Sequence, residues 1–445
     1  MSISNVCNQS VDDVDFLAQE GRDYFLTHGM IYKNQNGNLE HRPFTLFPTP
    51  FPKKFFTAAK EVQTDFNLLV HNASRDYEFT KNALKSTVAA DSFTSKLFDI
   101  YEKAREQGTS QSISLGIFRS DYLIDKSHNA FEEKVADLCL KQVELNTISI
   151  SAITSSCRTT NMHRHLLNLT GSQYEFYDIP CLSAFLQLPP PNSALDEVAD
   201  GLIRAWELYG TPSAVIMFIV RTDEVNVYVQ RILEYHIKNK NSAVTVIRRT
   251  LTDIYNNNEM DDEKSLFVCL CNLCHNGFLS VRRLVSLKAF IINSPCKTVS
   301  QVLNYTSVKN EIEIFQGPEG DLNVELCLKT VEKFVMKPQR EGGGNLIYGE
   351  DIRRTLLNIP ENRAQYILME RIGPASINKT HIVRQESMTP VDIISELGIF
   401  GIFISRGDEI LVNREGGYLV RNRPWNKLEV KSLHGEGAYG SPYLV

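Results

Sequence analysis

The run Lys337-Pro-Gln-Arg-Glu-Gly-Gly-Gly-Asn-Leu-Ile-Tyr348 puts a cation, a carboxylate and three consecutive glycines within reach of one another, directly after the β-like Lys333-Phe-Val-Met336. Glycine lacks a Cβ, so its backbone adopts unusual dihedrals and lets N–H groups approach a phosphate closely. A lysine can neutralise phosphate charge, and Glu341 can hold a divalent cation that bridges phosphate oxygens. No Gly-Lys-Ser/Thr closes the run, so it is not a P-loop, and contiguous glycines do not make a dinucleotide fingerprint. On its own the triplet equally describes a charged surface hairpin tip.

A second pair stands at Glu144 and Asn146, inside a strand-like stretch from Lys141 to Ile148. Residues two apart on a strand share a face at about 6.6 Å. That suits two oxygen ligands of Mg2+, or simply the wet side of a half-buried strand. His163 and His165 read as packing or helix-surface side chains. Cys269-Leu-Cys-Asn-Leu-Cys-His275 has the form of a haem attachment or zinc site, but no second Cys/His pair stands nearby, and buried strand cysteines are the simpler reading.

The longer string Lys337-Pro-Gln-Arg-Glu-Gly-Gly-Gly-Asn345, with Tyr348-Gly-Glu350 behind it, resembles the glycine-rich lid of eukaryotic glutathione synthetases. Further stretches resemble that family in the same order: Phe66-Asn-Leu-Leu-Val70, Arg119-Ser-Asp-Tyr122, Glu144-Leu-Asn-Thr-Ile-Ser149, His163-Arg-His165, Ala205-Trp-Glu-Leu-Tyr-Gly210, Val246-Ile-Arg-Arg-Thr250, Tyr366-Ile-Leu-Met-Glu370 and Ser395-Glu-Leu-Gly-Ile-Phe-Gly401. The resemblance covers nearly the whole chain. It implies an α/β (α+β) ATP-grasp fold with an antiparallel ATP-binding sheet, a glycine-rich lid and an inserted parallel-sheet substrate domain. The expected division is an ATP-binding body over 1–211 and 305–445, its lid over about 333–400, and the insert over 212–304.

What the resemblance implies about function is equally specific. The family joins γ-glutamylcysteine to glycine at the expense of ATP, with Mg2+ as cofactor and usually as a cytoplasmic homodimer. By match, Arg119 and Arg421 are the catalytic arginines that hold substrate carboxylates, with Ser149, Ser151, Glu224, Asn226 and Gln230 as further substrate contacts. ATP falls to Lys337, Gly342, Gly343, Gly344, Asn345, Tyr348, Met369, Glu370, Arg371, Ile372, Glu396 and Arg423, and the metal to Glu144, Asn146 and Glu341.

The departures are concentrated. Between Phe267 and Cys296 the family's Arg-Asp-Gly-Tyr loop has no counterpart, and Val430-Lys-Ser-Leu-His-Gly435 stands where the family has Gly-Gly-Val-Ala-Ala-Gly. Bulky residues do not rebuild a glycine cradle for an incoming amine. A family ATP lysine is replaced near Ser307, with Lys309 close by. Ala152-Ile-Thr154 replaces Phe-Gly-Gly, Leu346 an Asn, and Arg371 and Arg423 lysines. The expectation is a retained donor pocket with altered acceptor specificity, or a binding protein without the family's activity. The pattern resembles the diverged glutathione-synthetase-like effectors of plant-parasitic cyst nematodes, which implies secretion after loss of a signal peptide.

The chain as a whole fits. Its 445 residues suffice for two or three domains, and Lys+Arg 47 against Asp+Glu 53 leaves a net charge of -6, with no nucleic-acid face. No apolar run reaches the ~18 residues of a membrane span. Met1-Ser-Ile-Ser-Asn5 shows no secretory signal. Nine cysteines are an odd, sparse set for a disulfide framework, so reduced thiols are expected.

The pattern further predicts helices near Val11–Phe25, from Lys54 to Glu106, at Phe131–Leu138, around Ala205 and from Glu224 to Ile237. Strands are predicted at Ser112–Phe118, Ser213–Val220, Ala243–Ile247, Tyr366–Ile372, Val391–Ser405 and Glu409–Asn413, the last three as one ATP-binding sheet. Pro43 to Pro52 reads as an extended connector and not a central strand.

Overall fold

The computed structural model describes residues 11–34, 36–108, 112–126, 138–148, 150–172, 188–257, 266–271, 312–313, 317–338, 345–358, 363–374, 378–427 and 437–445. Helix α1 (Val11–Thr27) leads to the hairpin β1 (Ile31–Lys33) and β2 (Leu39–His41), then to the short strands β3 (Phe44–Thr45) and β4 (Thr49–Phe51). The predicted helical stretch divides into α2 (Lys53–Arg75), α3 (Tyr77–Ala90) and α4 (Ser92–Gln107). The breaks fall at Asp76 and Asp91, whose carboxylates accept the Phe79 and Thr94 N–H groups as N-caps, each at 2.9 Å.

Long strands β5 (Ile113–Lys126) and β6 (Leu138–Asn146) precede α5 (Ile153–Ser172) and α6 (Ala194–Tyr209). A βαβ unit follows: β7 (Val215–Ile219), α7 (Val227–Lys240), β8 (Thr245–Arg249), α8 (Leu251–Asn257) and β9 (Leu266–Cys271). Here β7 pairs in parallel with both β8 and β9, and its Ile216, Met217, Phe218 and Ile219 are buried, as its unbroken apolar run demands. Next come β10 (Ile312–Glu313), α9 (Gly317–Lys329), β11 (Phe334–Pro338), β12 (Ile347–Tyr348), α10 (Glu350–Asn358) and β13 (Tyr366–Glu370). The chain ends with β14 (Asn378–Arg384), β15 (Ser387–Arg406), β16 (Glu409–Pro424), β17 (Ala438–Gly440) and β18 (Pro442–Leu444).

Two sheets matter for the site. The larger has seven strands in the order β14-β3-β17-β16-β15-β5-β6, and the smaller has four in the order β10-β13-β11-β12. The predicted single sheet of β13, β15 and β16 is therefore corrected: β13 lies in the smaller sheet and β15 and β16 in the larger. Periodicity identifies strands but not their partners. Strand β5 runs on past Phe118 to Lys126, and the tail 416–424 extends β16. Leu138 opens β6 instead of closing a helix, and the rest of that predicted helix lies outside the described residues.

The extended stretch 43–52 also needs correction, because β3 sits inside the larger sheet between β14 and β17. Its prolines lie at positions 43, 48, 50 and 52, so Phe44 and Thr45 keep their N–H groups for pairing.

Side chains on one face of the larger sheet, including Phe400, Ile402, Ile404 and Leu419, join the core under α1, α5, α6 and α7. Those on the other face, including Leu397, Ile399 and Phe403, pack on α2. Gly401 permits that second contact, since a Cβ there would lie 2.0 Å from Asn67 Oδ1. The smaller sheet has its own core of Phe334, Met336, Ile352 and Leu368. It is joined to β5 where Asp125 Oδ1 accepts the Gly373 N–H at 2.8 Å and Asp125 bridges Pro374.

His163 is a packing residue, fully buried on α5. Its Nε2 lies 2.6 Å from the Thr45 carbonyl and its Nδ1 2.6 Å from Ser441 Oγ. A carbonyl only accepts, so Nε2 carries the proton and Nδ1 takes the serine hydroxyl. Burial pushes its pKa down from 6.5 to about 4, with the Thr45 contact opposing. The unfolded chain therefore takes up a proton below 6.5 that the fold refuses until about 4. His163 should cost the fold roughly 3 kcal/mol as pH falls across that window, with full stability restored above it. Denaturant unfolding at pH 7.0 and 4.5 should show the loss, and His163→Gln should flatten the difference.

Candidate active site

The polar end of one face of the larger sheet gathers the candidate residues by register. Along β15 that face reads Ile404, Ile402, Phe400, all buried, and then Gly398 and Glu396. Opposite Glu396 lies Arg421 and opposite Gly398 lies Asp121, while Arg119 faces Phe400. Strand β6 adds Glu144 opposite Asp121 and Asn146 opposite Arg119. Residues directly opposite on paired strands share a face, so four strands deliver these groups to one patch.

Its centre is a residue that the sequence reading passed over. Asp121 is fully buried and accepts two bonds from Arg119, Nε to Oδ1 at 2.7 Å and Nη2 to Oδ2 at 2.8 Å. Arg421 Nη2 adds a third at 3.1 Å and Asn146 Nδ2 a fourth at 3.0 Å. Burial raises the Asp121 pKa against the pull of Arg119 and Arg421. Burial likewise opposes the charge on Arg421, but Glu396, Asp121 and Glu144 outweigh it and hold the guanidinium more firmly protonated than usual. Arg421 also donates directly to Glu396. A signal for Asp121 was present, since i and i+2 on a strand share a face and Arg119-Ser-Asp121 has that spacing.

The missing side chain at position 398 makes this geometry possible. A Cβ there would sit 2.7 Å from Asp121 Oδ1 and 3.0 Å from Arg119 Cδ, so the ion pair lies directly across the glycine. Nη1 of Arg119 reaches the Ser151 carbonyl at 3.2 Å. Ala152, next along, has φ 70°, a left-handed conformation rare for a residue with a Cβ.

The smaller sheet brings Lys337, on β11, to the edge of β6. Its Nζ donates to the Val143 carbonyl at 3.2 Å and lies 3.9 Å from Glu144 Oε2. Tyr348 and Met369 belong to an apolar cluster with Val335, Ile367 and Leu346 on that sheet. Arg371 N–H caps the Lys333 carbonyl at 2.7 Å and its side chain is exposed, with Glu370 and Ile372 on either side. Arg423 bridges the sheets electrostatically: burial lowers its pKa, Glu396 pulls it up, and Tyr348 and Arg371 also act on it. Asn345 is exposed, and Ser149, Glu341, Gly342, Gly343, Gly344 and Lys309 lie outside the described residues, as do 272–296 and 430–435 of the two altered segments.

Glu224, Asn226 and Gln230 form a separate cluster at the start of α7. The Asn226 N–H donates to Glu224 Oε1 at 2.8 Å, and Arg248 Nη2 donates to Gln230 Oε1 at 2.6 Å. A second missed residue joins them, Arg42, whose Nη2 donates to Asn226 Oδ1 at 2.6 Å. Nothing in the spacing around Arg42 announces it.

The sequence model of the eukaryotic glutathione synthase ATP-binding domain matches residues 11–444. The chain belongs to the eukaryotic glutathione synthetase family. It is 32% identical to glutathione synthetase of Dictyostelium discoideum, with 96% of this chain and 98% of that protein covered. It is 30% identical to glutathione synthetase of Homo sapiens, with 98% of each covered. Among solved structures, a glutathione synthetase-like effector of Globodera pallida in its apo form shares the fold, with a TM-score of 0.70 at 21% identity over the whole of both chains. The glutathione synthetase fold accounts for the ATP-grasp architecture of the two sheets. Among the described residues, no helix is long and apolar enough to cross a membrane.

Replacing Asp121 by Asn should leave two guanidinium groups facing a neutral amide and cost about 3–5 kcal/mol in urea unfolding. Gly398→Ala should reproduce much of that loss by steric displacement alone. Near-wild-type stability of both variants would remove Asp121 from its central role.

Proposed function

We propose that the chain is an ATP-dependent carbon–nitrogen ligase that converts the carboxylate of γ-glutamylcysteine to an acyl phosphate and transfers it to an amine. The observation that supports it best is the convergence of the Arg119–Asp121–Arg421 cluster, Glu144 and Asn146 with Lys337 from the second sheet. A carboxylate resists amines because oxide is a poor leaving group. Transfer of the γ-phosphoryl group from ATP releases ADP and replaces that oxide with phosphate, which the amine then displaces. Such a reaction needs charge neutralisation and alignment and no protein nucleophile.

The residues fit those tasks. Lys337 supplies a cation for phosphate oxygens, and Tyr348 and Met369 offer an apolar wall for a base. Arg119 and Arg421 present guanidinium groups suited to carboxylates. Asn146 spends its amide nitrogen on Asp121 and the Arg119 carbonyl, which leaves its oxygen for a cation. With the Glu144 carboxylate this is a hard oxygen set suited to Mg2+, to which Glu341 would contribute. Bound magnesium would neutralise phosphate charge. The residues 212–304 would form the substrate insert around Glu224, Asn226 and Gln230.

The amine is the variable half of this reading. Val430-Lys-Ser-Leu-His-Gly435 brings branched and charged side chains to a position built from glycine and alanine in the family pattern, so we propose weak or absent use of glycine and preference for a different amine. ADP release with Mg-ATP and γ-glutamylcysteine, with and without glycine and a panel of amines, tests both halves when products are weighed. Glutathione formed at ordinary enzyme rates would overturn the altered acceptor. Silence with every amine, with ligands still bound, would favour a binding protein over a ligase. Lys337→Met and Glu144→Gln should each lower turnover by at least about a hundredfold.

A further inference from the structure

Arg42 is buried, 2% exposed, yet it forms no ion pair among the described residues. Its partner is a neutral amide, Asn226 Oδ1, and its Nε is buried without an acceptor. The rings of Tyr32 and Tyr439 stand 5.8 and 6.0 Å from its guanidinium carbon. A guanidinium held out of water with one donor unused is an expensive arrangement for an empty protein. It makes sense when a ligand supplies the anion.

The neighbours repeat the pattern. Glu224 gives one carboxylate oxygen to the Asn226 N–H and leaves Oε2 buried and unpartnered. Gln230, 4% exposed, gives its oxygen to Arg248 and leaves Nε2 buried and unpartnered. Asn226 joins Arg42, through its side-chain oxygen, to Glu224, through its N–H, and Gln230 follows one helical turn on, its backbone N–H donating to the Asn226 carbonyl. The unused set is thus two donors, on Arg42 and Gln230, and one anionic acceptor, on Glu224. Tyr439, beside Arg42, is the register partner of Arg421, so this cluster adjoins the reaction face.

We propose that Arg42 is a specificity-determining residue that grips the α-carboxylate of the substrate's amino-acid head. The carboxylate takes Arg42 Nε and Gln230 Nε2, and the α-ammonium takes Glu224 Oε2. The assignment rests on the ligase reading for the identity of the donor, γ-glutamylcysteine, whose glutamyl end is such a zwitterion. Its distal carboxylate then lies toward Arg119 and Arg421. Arg42 positions and selects the donor and touches no reacting bond.

Calorimetric titration of the full-length protein with γ-glutamylcysteine and with γ-aminobutyrylcysteine, which lacks only the α-carboxylate, tests this. Wild type should bind the first about ten- to a hundredfold more tightly, the worth of a charge-assisted hydrogen bond. Arg42→Met should lose most of that preference, keeping only the part that Gln230 supplies, with its affinity for ATP unchanged, and Arg42→Lys, which retains charge without the fork, should fall between. Should Arg42→Met fail to fold, the reduced discrimination of Arg42→Lys carries the same test. Undiminished discrimination in these variants, or equal binding of the two compounds by wild type, would overturn the assignment and leave the ligase reading intact. Discrimination that depends on Arg42 without any ADP release would do the reverse.

Discussion

The site hangs on one buried carboxylate. Asp121 brings two guanidinium groups from β5 and β16 and the amide of Asn146 from β6 to a single point, so three strands are cross-linked through side chains as well as backbone. Removing an aspartate from water is costly, and its pKa is raised accordingly, but the bidentate grip of Arg119 offsets much of that cost. Like charge on Arg119 and Arg421 would otherwise drive them apart. The anion between them lets two cations share a patch.

Around that point the larger sheet changes character along a single face. Phe400, Ile402 and Ile404 anchor β15 in the main core, and two residues further on the same face carries Gly398 and Glu396. Close packing thus ends one strand step from the polar groups, so the same strand that is anchored in the core also fixes them. The glycine is as much a part of the site as the charges, because any side chain would occupy the place of the Arg119–Asp121 pair.

Much of this was legible in the chain and some was not. The glycine run, the Glu144/Asn146 spacing and the ordered set of motifs identify family and fold, because they are local and fix backbone chemistry. Asp121 went unnoticed beside the more conspicuous Arg119, although strand spacing already placed the two on one face. The division of strands between two sheets could not be read, since alternation says which face is buried and never which neighbour covers it. The proline-flanked Phe44–Thr45 paired inside the larger sheet because only the residues between prolines need to donate. Arg42 was invisible for a different reason: its partners, Asn226 and the rings of Tyr32 and Tyr439, lie far from it in sequence, Tyr32 excepted, and a lone arginine ahead of a proline carries no pattern.

The bond from Gly373 to Asp125 ties the smaller sheet to the larger just beyond one end of β13. Asp125 is four residues beyond Asp121 on β5, so the post that supports the smaller sheet is the same strand that carries the ion-pair centre. Gly373 follows Glu370, which opposes Phe334, whereas Tyr366 at the far end of β13 opposes Pro338. The joint therefore lies at the Phe334 end of β11, and Pro338 stands at the opposite end of that ladder. Lys337, next to that far end, donates to the Val143 carbonyl of β6, so the smaller sheet is tied to the larger at both ends of the β11–β13 ladder.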